Sequence, residues 1–187
     1  MARCYSAVMA KRYPVPRLVL LSDARNDARL DRALRRLPAS SALVFRHYHL
    51  DPAARRRRWA ALRRLARLRG VALIAAGAPC SSGGQGRYGA AASLRKAKGL
   101  RLSTAHSLRE IRRAVCAGAD AVLLSPVLPT RSHPGAPVLG MVRFLLLARQ
   151  SPLPVLALGG MTHAAARRLP RRGRVRGWAA IDGLSQG

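Results

Sequence analysis

The chain has 187 residues and a mass of 20.2 kDa, long enough for one full hydrophobic core and short for two. Lysine and arginine total 35 against 7 acidic residues, a formal charge of +28, yet 49% of residues are hydrophobic and only 22% charged, which excludes a disordered basic tail. Three cysteines, Cys4, Cys80 and Cys116, lack C-x-x-C spacing and suggest neither a disulfide framework nor a zinc site.

A reducing, cytoplasmic setting is expected. The first fifteen residues contain no apolar core of a signal peptide, and no later run approaches the ~20 apolar residues of a membrane span. Only Lys11, Lys96 and Lys98 are lysines. Arginines scattered among alanine, leucine and glycine fit a nucleotide-composition bias better than selected RNA binding, though the charge favours non-specific polyanion contacts.

Residues 1–15 read as a flexible segment and 16–187 as a single domain. Short aliphatic runs alternate with segments of helical period, the pattern of a parallel α/β sheet. Pro16–Ser22 is predicted as the first strand, Arg25–Leu37 as a helix and Ser41–Arg46 as the second strand. Pro52–Arg69 opens on proline and stops at Gly70, as a surface helix should. Val71–Ala75 is the third strand. The Gly/Ser-rich stretch Gly77–Gly89 breaks the regularity, leaving a weak fourth strand at Arg87–Ala92 and a short helix at Ser93–Lys98. Leu100–Thr104 is the fifth strand, and Ser107–Ala117 is a helix with a Ser107/Glu110 capping box. Asp120–Ser125, Pro154–Leu158 and Val175–Ile181 are the sixth, seventh and eighth strands, with helices at Met141–Arg149 and His163–Leu169. Eight strands imply a lean TIM (β/α)8 barrel with a degenerate fourth-strand region and a missing or short third helix. A doubly wound open sheet is the alternative.

In such a barrel the chemistry sits at the C-terminal strand ends and in the loops that follow. Those positions are Asp23, Arg46 with His47 and His49, Ala75–Ala76, Thr104 with His106, the loop Ser125–His133 at the start of the long Pro/Gly-rich stretch Pro126–Gly140, Gly159–Gly160 and Ile181–Gly183. A Gly-Gly pair after the seventh strand lets backbone N–H groups approach an anion with no Cβ in the way, or simply turns the chain. His47, Tyr48 and His49 alternate at the second strand's end and could line the mouth.

The run Ser125–Gly140 (SPVLPTRSHPGAPVLG) resembles the sixth-strand loop of the thiamine-phosphate synthase/TenI family, G-P-V-F-x-T-x-T-K followed by Pro-Leu-Gly. Thr104–Glu110 is similar to that family's S-x-H-[ST]-x-x-E, Ala117–Asp120 to its A-G-A-D, and Val155–Met161 to its V-x-A-x-G-G-[IM]. The resemblance implies a (β/α)8 barrel acting on small phosphorylated heterocycles. The synthase branch joins a pyrimidine pyrophosphate to a thiazole phosphate; the tautomerase branch isomerises a thiazole carboxylate phosphate by acid/base chemistry. It also assigns roles. Arg46 would neutralise pyrophosphate and Thr104 would donate to it, with His133 standing where the family has lysine. Thr130, Ser132, Gly159, Gly160, Ile181 and Asp182 would bind the thiazole phosphate, and His106 matches the tautomerases' acid/base.

The family implies Mg²⁺ held by aspartates at the end of the third strand and after the fourth. Here the third strand ends Ala75–Ala76, and no acidic residue occurs from Pro52 to Arg109, so neither ligand is present and no metal ligand is assigned. A synthase-type transferase is the leading reading. A tautomerase or thiazole-phosphate binder is the alternative, and a polyanion-binding barrel using Arg55–Arg69 and Arg167–Arg176 ranks third.

Overall fold

Aliphatic runs four to six residues long, buried on both faces, form parallel strands because every face of a barrel wall is covered. The computed structural model describes residues 14–77, 83–132, 134–170 and 172–184. β1 (Leu18–Leu21), β2 (Ala42–Phe45), β3 (Ala72–Ala76), β4 (Gly86–Gly89), β5 (Leu100–Ala105), β6 (Ala121–Leu124), β7 (Val155–Leu158) and β8 (Val175–Ala180) pair in chain order. β8 returns to β1 in the register Val19 to Ala179, closing an eight-stranded parallel barrel. The open sheet is thereby excluded.

Side-chain alternation decides what each face packs. Inside stand Val19, Leu21, Ala42, Val44, Ile74, Ala76, Leu100, Leu102, Ala121, Leu123, Leu156 and Ala179. The frequent alanines suit the narrow lumen. Outward residues meet the helices α1 (Asp27–Arg36), α2 (Pro52–Leu68), α3 (Leu108–Cys116), α4 (Gly140–Arg149) and α5 (His163–Ala166). Phe45 packs edge-on to Trp59 of α2 with ring centroids 5.2 Å apart. Asp51 caps α2, accepting from the N–H groups of Ala53 at 2.8 Å and Ala54 at 2.9 Å, and Ser107 caps α3 from Glu110 N.

Several boundaries differ from expectation for local reasons. The first helix is preceded by a 3-10 turn at Ala24–Asn26, because Asp23 and Asn26 close a reciprocal capping box there. Strand four is Gly86–Gly89, not Arg87–Ala92: a Cβ at Gly86 would collide with the Leu100 carbonyl, so only glycine can begin that strand against β5. The helix expected at Ser93–Lys98 is a 3-10 turn at Ala91–Leu94. α5 stops at Ala166 rather than Leu169, consistent with Pro170 disfavouring helical backbone just before it. Among the described residues no helix follows β3. Of the expected flexible segment 1–15, only residues 14 and 15 are described. No helix of the described residues is long and apolar enough to cross a membrane.

The closing seam depends on two small features. The buried Asn26 amide donates to Leu21 O at 2.9 Å and Ile181 O at 3.0 Å, bridging the ends of β1 and β8. At the other end a Cβ on Gly177 would collide with the Arg17 carbonyl. Gly177→Ala should therefore part this seam and destabilise the barrel by ~1–3 kcal/mol, read as a lower denaturant midpoint. An unchanged midpoint would refute that account of the seam.

Candidate active site

The C-terminal strand ends surround one cavity of about 550 Å³. Of the residues expected from the sequence, Arg46, Thr104, His106, Thr130, Ser132, Gly159, Gly160, Ile181 and Asp182 all line it. His133 lies outside the described residues. The cavity also takes Tyr48 and Tyr88, and Arg131 beside Ser132. Tyr88 is not among the residues the sequence points to, because a strand of Gly-Arg-Tyr-Gly has no apolar alternation to mark its inner face; the strand at 86–89 puts Tyr88 on the same face as Gly86, against the lumen.

Arg46 follows β2, and its backbone is fixed by a buried chain of hydrogen bonds. Its N–H donates to Ser22 Oγ at 2.8 Å. Ser22 Oγ lies 2.7 Å from His47 Nδ1, and His47 Nε2 lies 2.9 Å from Asp27 Oδ1. An ionised Asp27 can only accept, so Nε2 carries the proton and Nδ1 accepts from the Ser22 hydroxyl. Ser22 and His47 are both 0% exposed. His47 therefore does not line the mouth: it is stacked on Phe45, ring centroids 4.3 Å apart, with φ at 28° in the sparsely populated left-handed region. Of the three residues expected there, Tyr48 lines the cavity. Arg58 completes the anchor with bonds of 2.8 Å to Asp27 and 2.6 Å to Asp31.

The opposite wall is the long loop after β6. Thr130 Oγ1 accepts from Ser132 N at 3.3 Å, and Ser132 Oγ accepts from Arg25 Nη2 at 2.8 Å. Arg25 also meets Asp23 at 3.0 Å and Asp182 at 3.5 Å, so one guanidinium joins the loops after β1, β6 and β8. Gly159 and Gly160 have φ of 92° and 64°. Their glycine requirement comes from packing as well: a Cβ on Gly159 would stand 2.8 Å from Pro126 Cα, and one on Gly160 would collide with the Pro129 carbonyl. The pair seats the long loop, whose Val127 and Leu128 N–H groups donate to Leu158 O and Gly159 O. An anion is thus only one of two reasons for the glycines.

His106 begins the turn into α3. Its N–H donates to Glu110 at 3.0 Å, and its Nδ1 lies 2.7 Å from the Ser125 carbonyl. A carbonyl cannot donate, so Nδ1 bears hydrogen and Nε2 keeps the lone pair of the neutral ring.

The donor set does not fit a hard divalent cation. β3 ends in buried alanines, and Arg55 Nη2 already donates to the main-chain oxygens of Ala76 at 3.0 Å and Arg46 at 3.3 Å. Asp23 is paired with Arg25 and, at 3.8 Å, with Arg46. Burial alone would raise its pKa, but the hydrogen bonds and charge of Arg25 outweigh this and the net shift is downward. Among the described residues no group of three His, Cys, Asp or Glu side chains is placed to hold a metal ion.

Burial lowers the pKa of His47 below its ordinary 6.5, although Asp27 pulls the other way. The unfolded chain therefore binds a proton that the folded chain refuses. This contribution is complete above pH 6.5 and is lost as pH falls toward the depressed native value. Asp27 adds a separate loss below 3.8, since its own net shift is downward: burial raises it, but the hydrogen bonds from His47 and Arg58 prevail. The melting temperature should drop between about pH 7.5 and about pH 5.5, and drop less in His47→Gln. Parallel curves for the two proteins would show that His47 is not the titrating group.

Comparison with known proteins agrees with this geometry. A family model described as thiamine monophosphate synthase matches residues 89–184. A putative thiamine-phosphate synthase 2 from Aquifex aeolicus (strain VF5) is 41% identical over 59 residues, 32% of this chain and 32% of that protein. A thiamine-phosphate synthase from Myxococcus xanthus (strain DK1622) is 51% identical over 51 residues, 27% of this chain and 23% of its own. The matched stretches thus span about a third or less of these curated relatives. The structure of a thiamine phosphate pyrophosphorylase from Pyrococcus furiosus superposes with a TM-score of 0.76 at 21% identity, covering 90% of this chain and 87% of that one, and so shares its fold. With the family model matching more than half of its length, and the barrel and its long sixth loop in place, this chain belongs to the thiamine monophosphate synthase family.

Proposed function

We propose that the chain is a thiamine-phosphate synthase-type transferase, joining hydroxymethylpyrimidine pyrophosphate to thiazole phosphate with release of pyrophosphate. The observation that carries this reading is a cavity with anion-binding groups on two opposing walls: Arg46 after β2 on one side, Thr130, Ser132 and the Gly159–Gly160 turn after β6 and β7 on the other, with Thr104 on β5 between them. A binder of one phosphate needs only one of these walls. The relatives named above support the same reaction class.

As the bond to pyrophosphate breaks, negative charge gathers on the departing oxygens. Arg46 would meet it with two parallel N–H donors and Thr104 with a hydroxyl, groups held in place before the charge develops. The opposite wall would hold the thiazole phosphate and present the ring. No step is assigned to a metal ion. Arg46→Gln should lower kcat/KM for thiamine phosphate formation by roughly 100-fold, in line with the loss of one preorganised donor. Wild-type protein forming no thiamine phosphate from the two precursors, over a control without protein, would overturn the reading.

His106 supports the second reading, a thiazole tautomerase. Its fixed tautomer leaves a basic nitrogen on a residue lining the cavity, as proton abstraction requires. Under that reading His106→Ala abolishes isomerisation of a thiazole carboxylate phosphate. Under the transferase reading it costs less than Arg46→Gln does.

A further inference from the structure

We infer that the wall of the cavity formed by the loop after β2 and the ends of β3 and β4 receives a diphosphate group directly on guanidinium and phenol donors, with no divalent cation between protein and ligand. The inference rests on the transferase reading in taking the ligand to be a diphosphate.

Three observations carry it. First, all seven carboxylates of the chain already have partners. Asp23 and Asp182 flank Arg25, and Asp23 also pairs with Arg46 at 3.8 Å. Asp27 and Asp31 hold Arg58. Asp51 caps α2, Glu110 binds the His106 N–H, and Asp120 accepts from Arg101 N at 2.7 Å at the opposite end of the barrel. Second, the main-chain oxygens that the ends of β2 and β3 could offer a cation already accept from Arg55. Two guanidinium groups, Arg46 and Arg55, lie 5.9 Å and 5.8 Å from the Tyr48 ring centroid. A doubly charged cation placed beside them would be repelled by both.

Third, among the described residues the side chains that line this wall offer donors. Arg46 offers a planar fork suited to two phosphate oxygens. Tyr48 and Tyr88 add hydroxyls. Burial pushes the Tyr88 pKa up to about 12, so its phenol keeps its proton through the physiological range. The wall thus carries fixed positive charge and hydrogen-bond donors, with no paired acid free for metal. Arginine does here the work of charge neutralisation, and the ligand needs no accompanying cation.

Inorganic pyrophosphate is the probe, titrated calorimetrically into the full chain in buffer with EDTA and in buffer with excess Mg²⁺. Binding is expected in EDTA, with Kd unchanged or weaker when Mg²⁺ is added, because the metal then masks the charge that Arg46 reads. Arg46→Gln should weaken binding at least roughly tenfold. It removes one of 35 basic residues, so general attraction to a chain of charge +28 barely changes and the loss reports on the site. Tyr88→Phe should weaken binding severalfold at an unchanged melting temperature. Binding that appears or tightens only with Mg²⁺, binding indifferent to Arg46→Gln, or no binding in either buffer overturns the inference. Turnover of the two precursors in the same buffers separates it from the transferase reading. Product formed only with Mg²⁺ sinks the inference and upholds the reading. Pyrophosphate bound in EDTA with no product in either buffer does the reverse.

Discussion

Everything the site does depends on the pairing of β8 with β1. A parallel sheet that closes on itself points all its strand ends the same way, so eight loops from distant parts of the chain converge on one ring. Closure brings residues 46, 104, 130 and 182 around one cavity although they span most of the sequence. The seam is also where the backbones approach most closely. Glycine at 177 and the bridging amide of Asn26 are the sequence's answer to that crowding, one at each end of β1.

A second constraint is the scarcity of acid. With seven carboxylates among 35 cations, each acidic side chain settles a local problem: a helix cap, a neighbouring arginine, a backbone N–H. Where a hard cation would need carboxylate oxygens, this chain places guanidinium groups and phenols.

Much of the barrel was legible because continuous runs such as LVLL, ALVF and AVLL can only be strands buried on both faces, and the Ser107/Glu110 pair marks its helix start. Strand four was not, since Gly86-Arg87-Tyr88-Gly89 has no aliphatic residue; it is a strand because its neighbours on both sides are strands. The site residues could be read from strand ends and the sixth loop, but their supports could not. His47 looks like an exposed histidine beside His49 until the fold brings in Asp27 from α1 and Ser22 from the end of β1. The Gly159–Gly160 pair suggested an anion, while the close approach of the long loop supplies a second reason that no local pattern discloses.

Arg25 links three of the loops around the cavity. One flat group touches Asp23, Asp182 and Ser132, tying together loops that follow the first, eighth and sixth strands. The three loops are therefore held together by a side chain as well as by the backbone scaffold, and a lysine there, with a point charge in place of a fork, would not reproduce the same set of contacts. Two barrels with superposable strands can then differ in how their loops are joined, through a single residue that belongs to no strand of the wall.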